Sequence, residues 1–157
     1  MKKLSAGFLL AIVTVFISCG KNDSSGCQPV SVDAEKPQMV SFCTSANINY
    51  TINSSGLLYQ IIDPGTGTVT PTSSSTVSVL YVGKFLSGLT FDSSVNVYTA
   101  TLNNFIDGWK IGIPLIKKGG RIKLVVPSAL AYSCTGYLPT IPINTPLYFD
   151  VTLTDVK

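Results

Sequence analysis

Four cysteines, one tryptophan and no histidine limit what the side chains of this 157-residue chain can do. Without imidazole, histidine proton shuttles and most zinc sites are excluded. The cysteines need separate roles. Cys19 ends an apolar stretch through Phe16-Ile17-Ser18 and reads as a lipidated residue. Cys43 falls with Met39, Phe42 and Ala46 at helical spacing and reads as a small core residue. Three thiols allow three single pairings; Cys27 and Cys134, both in turn-like surroundings, are the better pair. Trp109 lies in Phe105-Ile106-Asp107-Gly108-Trp109, the start of one short helix. As the largest apolar side chain it marks the core, or the floor of a pocket.

The elements that must position these residues begin after a leader. Met1-Lys2-Lys3 is a basic start, Gly7 to Ile17 an apolar run, and Ser18 a small residue before Cys19. That pattern is a secretory signal over residues 1–18, too short to span a membrane. Its end resembles a bacterial lipobox, which places the protein in the bacterial cell envelope, anchored to a membrane by lipid on Cys19, on the periplasmic side or the outer-membrane surface. Exported chains live where disulfides persist. Lys117-Lys118, Arg121 and Lys123 cluster, but no basic stripe interleaves with aromatics, so nucleic acid is not an expected partner. They read as a solvated turn and strand face.

Residues 20–33 are small and polar and read as a flexible tether. Ala34 to Asn47 predicts a short helix with Pro37 in its first turn. From residue 57 the period is that of strands: 57–62, then 76–86, where Val77, Val79 and Tyr81 alternate with Ser78 and Leu80. Ser87-Gly88 turns the chain into a return strand at 89–91, and 99–102 is a further short extended piece. Pro114 ends the Trp109 helix at about Ile113. Lys118-Gly119-Gly120 leads into a strand at 121–127, and a long loop from Ser128 to Pro146 precedes the last strand, 146–156. Strands dominate, one helix is central and no βαβ alternation occurs, which predicts a single antiparallel α+β domain.

Seven short motifs then stand in register. Tyr81-Val82-Gly83-Lys84, Ser87-Gly88, Phe91-Asp92-Ser93-Ser94, Ile106-Asp107-Gly108-Trp109, Leu130-Ala131-Tyr132, Ile141-Pro142 and Leu147-Tyr148-Phe149-Asp150-Val151 occur in a telling order and spacing. The stretch 57–157 resembles FKBP-type peptidyl-prolyl isomerases. The resemblance implies an FKBP-like fold, a curved antiparallel sheet wrapped around one short helix, with 19–56 as lipidated cysteine, tether and helical extension. Carried over by position, Tyr81, Phe91, Tyr98, Phe105, Ile106, Trp109, Tyr132, Ile141 and Phe149 line the substrate pocket, with Trp109 beneath the proline ring. Asp92 stands at the rim. The implied clients are proline-containing polypeptides, no cofactor or metal is called for, and macrolide-type inhibitors of the family become candidate ligands.

The implied chemistry is modest. An X–Pro amide isomerises unaided over roughly tens to hundreds of seconds, because resonance must be broken at a barrier of about 18–20 kcal/mol. No nucleophile is required. A dry aromatic pocket favours the less dipolar twisted amide over the planar one, and hydrogen bonds selective for the twisted form add to that. By resemblance the Ile106 N–H holds the carbonyl after proline, the Tyr132 hydroxyl holds the one before it, and Asp92 orients or polarises the rim. The chain departs from the family pattern at Ser133-Cys134, where Gly usually follows the tyrosine, and at Tyr98, Asp107, Thr140 and Ile143. The set Asp92, Ile106, Trp109 and Tyr132 favours an isomerase. The altered 133–143 loop leaves a second reading open, a chaperone or peptide-binding module of the same fold without useful catalysis.

Overall fold

The computed structural model describes residues 26–157; the signal segment, Cys19 and the first part of the tether lie outside the described residues. Seven strands form one antiparallel sheet: β1 (Thr51–Ile52), β2 (Leu58–Asp63), β3 (Thr76–Phe85), β4 (Thr90–Ser93), β5 (Tyr98–Thr101), β6 (Arg121–Val126) and β7 (Leu147–Val156). Their order is β1-β2-β6-β7-β3-β4, with β5 pairing the first half of β3 and β4 the second. Two helices complete the domain, α1 (Val32–Ser45) and α2 (Asp107–Gly112).

Alternation along β3, β6 and β7 builds two faces. Val77 and Val79, Ile122, Leu124 and Val126, and Leu147, Phe149, Val151 and Leu153 enter one core with Trp109 and Ile113. The α2 helix can lie this close to the sheet because of two glycines. A Cβ on Gly108 would meet Val126 Cγ1 at 2.5 Å, and one on Gly112 would meet Leu124 Cδ2 at 2.6 Å. The expected helix is tighter and more broken than its pattern implied: short 3₁₀ turns at Leu102–Asn104 and Ile113–Leu115 flank α2.

The opposite face of the sheet carries a second core. Met39, Cys43 and Ile48 pack with Leu58, Val125 and Tyr148. This cluster explains why Val125 and Tyr148 are buried although they alternate out of phase with the first core. The helix starts earlier than expected, capped by Ser31, whose hydroxyl accepts the Ala34 N–H. Pro37 therefore sits inside the helix rather than in its first turn, and removes one main-chain hydrogen bond there. The expected flexible tether is also corrected over Cys27 to Ser31. Cys27 is joined to Cys134 by a disulfide, with Cα atoms 5.2 Å apart. The Asn144 amide donates to Gln28 O at 3.0 Å and accepts from Val30 N at 3.3 Å. Composition marked this stretch as polar; its partners lie more than a hundred residues away.

Candidate active site

Between α2 and the concave face of the sheet is a cavity of about 390 Å³. Its floor is Trp109, 3% exposed, held by three rings. Phe105 stacks on it at 4.9 Å, while Tyr81 and Phe149 meet it edge to face at 5.2 and 5.4 Å. Each ring comes from a different place: Tyr81 from β3, Phe149 from β7, Phe105 from the turn into α2. Phe91 on β4 continues the wall, perpendicular to Phe149 at 5.7 Å. Room for both comes from Gly83, which stands opposite Phe149 in the β3–β7 register. A Cβ there would lie 2.7 Å from Phe91 Cζ and 3.0 Å from Phe149 Cε1.

Polar groups gather at the rim. The Tyr81 hydroxyl donates to Asp92 Oδ2 at 2.6 Å, so the carboxylate is oriented by a neighbour on the next strand. Burial, and then Asp92, push the Tyr81 hydroxyl well above the usual phenol range. Tyr132 is raised in the same direction by burial, with the adjacent Tyr137 and Asp92 adding to it. Both hydroxyls therefore stay protonated, as hydrogen-bond donors must. Among the described residues, the Ile106 N–H and the Tyr132 hydroxyl have no hydrogen-bond partner. The Trp109 indole nitrogen is buried and equally without one. The lining offers rings, one carboxylate, the Asn104 carboxamide and these donors. It contains no thiol or amine and suits enclosure of an uncharged, weakly polar group.

The structure brings Tyr81, Phe91, Asp92, Tyr98, Phe105, Ile106, Trp109, Tyr132 and Phe149 around this one cavity. Tyr98 stands at the mouth, half exposed, with its ring edge to face against Phe105 at 5.8 Å. Ile141 is the exception. It is buried in the core beneath the loop, because a two-way main-chain pairing with Tyr137 folds the loop over it. Tyr137 takes the place on the wall, its ring 5.5 Å from that of Tyr132. Sequence reasoning passed over Tyr137 and Asn104. Two tyrosines five apart in one loop were the available signal for the first; nothing marked the second.

A more open groove of about 430 Å³ lies on the other face, between Lys84, Tyr148 and Asp150. Two of its three charges already hold each other: Arg121 grips Asp150 through two contacts of 2.8 Å. Tyr148 is among its walls, but the set of rings packed on one another lies at Trp109, which leaves that cavity as the candidate site.

The family model for "FKBP-type peptidyl-prolyl cis-trans isomerase" matches residues 67–154, more than half of the chain. The chain belongs to this family. Among curated relatives, FkpA of Escherichia coli is 45% identical over 108 residues, covering 67% of this chain and 39% of that protein. A probable FKBP-type isomerase of Haemophilus influenzae is 43% identical over 106 residues, 66% of this chain and 44% of that protein. The chain thus spans about two fifths of the length of these relatives. The crystal structure of Escherichia coli FkpA superposes with a TM-score of 0.69 at 40% identity, covering 80% of this chain and 60% of that one. A peptidyl-prolyl isomerase from Pseudomonas syringae gives 0.68 at 28% identity, over 83% of this chain and 98% of its own. In this FKBP domain the expected fold is therefore present, an antiparallel seven-stranded sheet around one short central helix.

Proposed function

We propose that the FKBP domain, 57–157, is a peptidyl-prolyl cis–trans isomerase acting on proline-containing segments of exported polypeptides. The observation that carries this reading is the Trp109 cavity: a ring-walled space with two unpartnered donors, Ile106 N–H and Tyr132 hydroxyl, at its edge. In this reading proline lies on the Trp109 face and the rings exclude water. The planar amide loses more favourable solvation than the twisted one, which lowers the barrier between them. Ile106 N–H holds the carbonyl after proline and Tyr132 the one before it, so the twisted bond rotates between two fixed ends. Asp92, held by Tyr81, fixes the rim. Macrolide-type inhibitors of the family would fill the same space.

We also propose that lipid on Cys19 holds the protein to a membrane of the bacterial envelope, with 1–18 removed as the signal. The basic start, the apolar run and the residues Ser18-Cys19 support this, as does a disulfide, which persists outside reducing compartments. The alternative, a holdase of the same fold, is favoured by one observation. Tyr137, Leu138 and Ile143 stand 63, 70 and 54% exposed beside the pocket, an apolar surface that unfolded clients could grip.

A protease-coupled isomerisation assay on an Ala-Leu-Pro-Phe peptide decides between them. Loss of one hydrogen bond made in the transition state predicts that Tyr132→Phe lowers kcat/KM about tenfold. Trp109→Ala should lower it further while circular dichroism reports a folded domain. A folded wild type that gives no acceleration overturns the enzyme, and suppression of client aggregation would then support the holdase.

A further inference from the structure

The described residues before the FKBP domain, 26–56, have no part in the isomerase reading, yet one of them is a buried acid. Glu35, on α1, is 2% exposed. Its carboxylate accepts the Ser128 main-chain N–H at 2.8 Å and, through its other oxygen, the Ser128 hydroxyl. Burying a carboxylate is costly unless its oxygens are hydrogen-bonded, and both are. Ser128, fully buried, closes β6 just before the pocket loop. Its own carbonyl accepts N–H groups from Ala131 at 2.9 Å and Ser133 at 2.7 Å. Those two residues flank Tyr132. One residue is therefore tied on both sides, to α1 by its N–H and hydroxyl and to the neighbours of Tyr132 by its carbonyl. Beyond Tyr132 the same N-terminal segment holds the loop again, through Cys27–Cys134 and through Asn144, whose N–H donates to Ser133 O at 2.8 Å.

We infer that Glu35 is a positioning residue: acting through Ser128, it sets the place of the Tyr132 hydroxyl at the pocket rim. The inference rests on the isomerase reading for its catalytic consequence, and on the hydrogen-bond chain for its structural half. A donor that must meet one carbonyl in a twisting amide works only within a narrow range of positions. Loosening the Ser128 clamp would leave Tyr132 present but misplaced.

The test is a double-mutant cycle in the full chain, with Glu35→Met, which keeps side-chain volume and removes both acceptors. Ser128→Ala approaches the same contact from the other side, so the test does not depend on one variant folding. Either change should lower kcat/KM about fivefold, mainly in kcat, but less than about twofold in a Tyr132→Phe background. Glu35→Gln, which can still accept the Ser128 N–H, should retain most of the activity. Amide hydrogen exchange should quicken at Ala131 and Ser133 while Leu124 and Val151 keep their protection. An equal loss in both backgrounds, or exchange that is unchanged at Ala131 and Ser133 or raised uniformly across β6 and β7, overturns the inference. Should the wild type show no isomerisation, the proposed function fails separately. Exchange then still decides whether Glu35 holds the loop.

Discussion

Ser133 has φ 50°, in the left-handed region, at the position where the family usually carries glycine. Its N–H is committed to the Ser128 carbonyl, so the conformation is imposed by the same turn that holds Tyr132. Ser133→Gly should stabilise the domain by about 0.5–1 kcal/mol, read as a raised urea midpoint, because glycine adopts this conformation without a Cβ clash. A midpoint that falls would mean that the serine side chain contributes more than the strain it causes. Tyr132 carries a second expectation at this scale. Its pKa is raised above the phenol value, as is that of Tyr81. A raised value keeps the proton on as pH rises, and no histidine is present to titrate near neutrality. Isomerisation measured by NMR exchange, which needs no protease, should therefore not fall between pH 7 and pH 9 through loss of the Tyr132 proton. An inflection in that window that disappears in Tyr132→Phe would contradict this.

The rings of the pocket were readable in advance because the motif resemblance carries them over by position, and several of them also fall on elements with regular periods. Tyr81 and Phe149 alternate into one face of adjacent strands, while Phe105 and Ile106 lead into α2, whose first turn carries Trp109. Ile141 was misplaced because it lies in the irregular loop, where no period links position to direction. The β1 strand escaped notice for a similar reason: Thr51–Ile52 is too short to show alternation, and exists by pairing with β2.

At the scale of an element, α1 makes its own prediction through Cys43. Burial raises this thiol from an ordinary value of 9.0 to about 11. The folded state therefore holds a proton that the unfolded chain releases first. Its stabilising effect is whole below about pH 9 and is lost as pH rises towards 11. Urea midpoints measured from pH 8 to pH 10.5 should fall more steeply for the wild type than for Cys43→Ala. Parallel slopes would show that α1 leaves the sheet before the thiol ionises.

At the scale of the whole molecule, the N-terminal segment and the last loop are tied across 107 residues of chain by Cys27–Cys134. Removing a cross-link of that span frees the unfolded chain, so Cys27→Ser with Cys134→Ser should lower unfolding free energy by about 2–4 kcal/mol. Chemical denaturation of the double variant checks this. An unchanged midpoint would show that Asn144, Glu35 and the α1 core hold the segment without it.

The sequence alone determined the family, the antiparallel α+β architecture and nearly all the rings of the cavity. Strand alternation is a local property and predicted the architecture, while the resemblance carried by the motifs placed the rings, Tyr132 in the loop included. The tertiary structure alone decided that Tyr137 rather than Ile141 walls the pocket, that Cys27 to Ser31 is pinned, and that Glu35 reaches Ser128. The Glu35–Ser128 and Val30–Asn144 contacts join residues 93 and 114 apart in the chain. Such pairs leave no period to read; packing of α1 and the loop against one sheet brings them together.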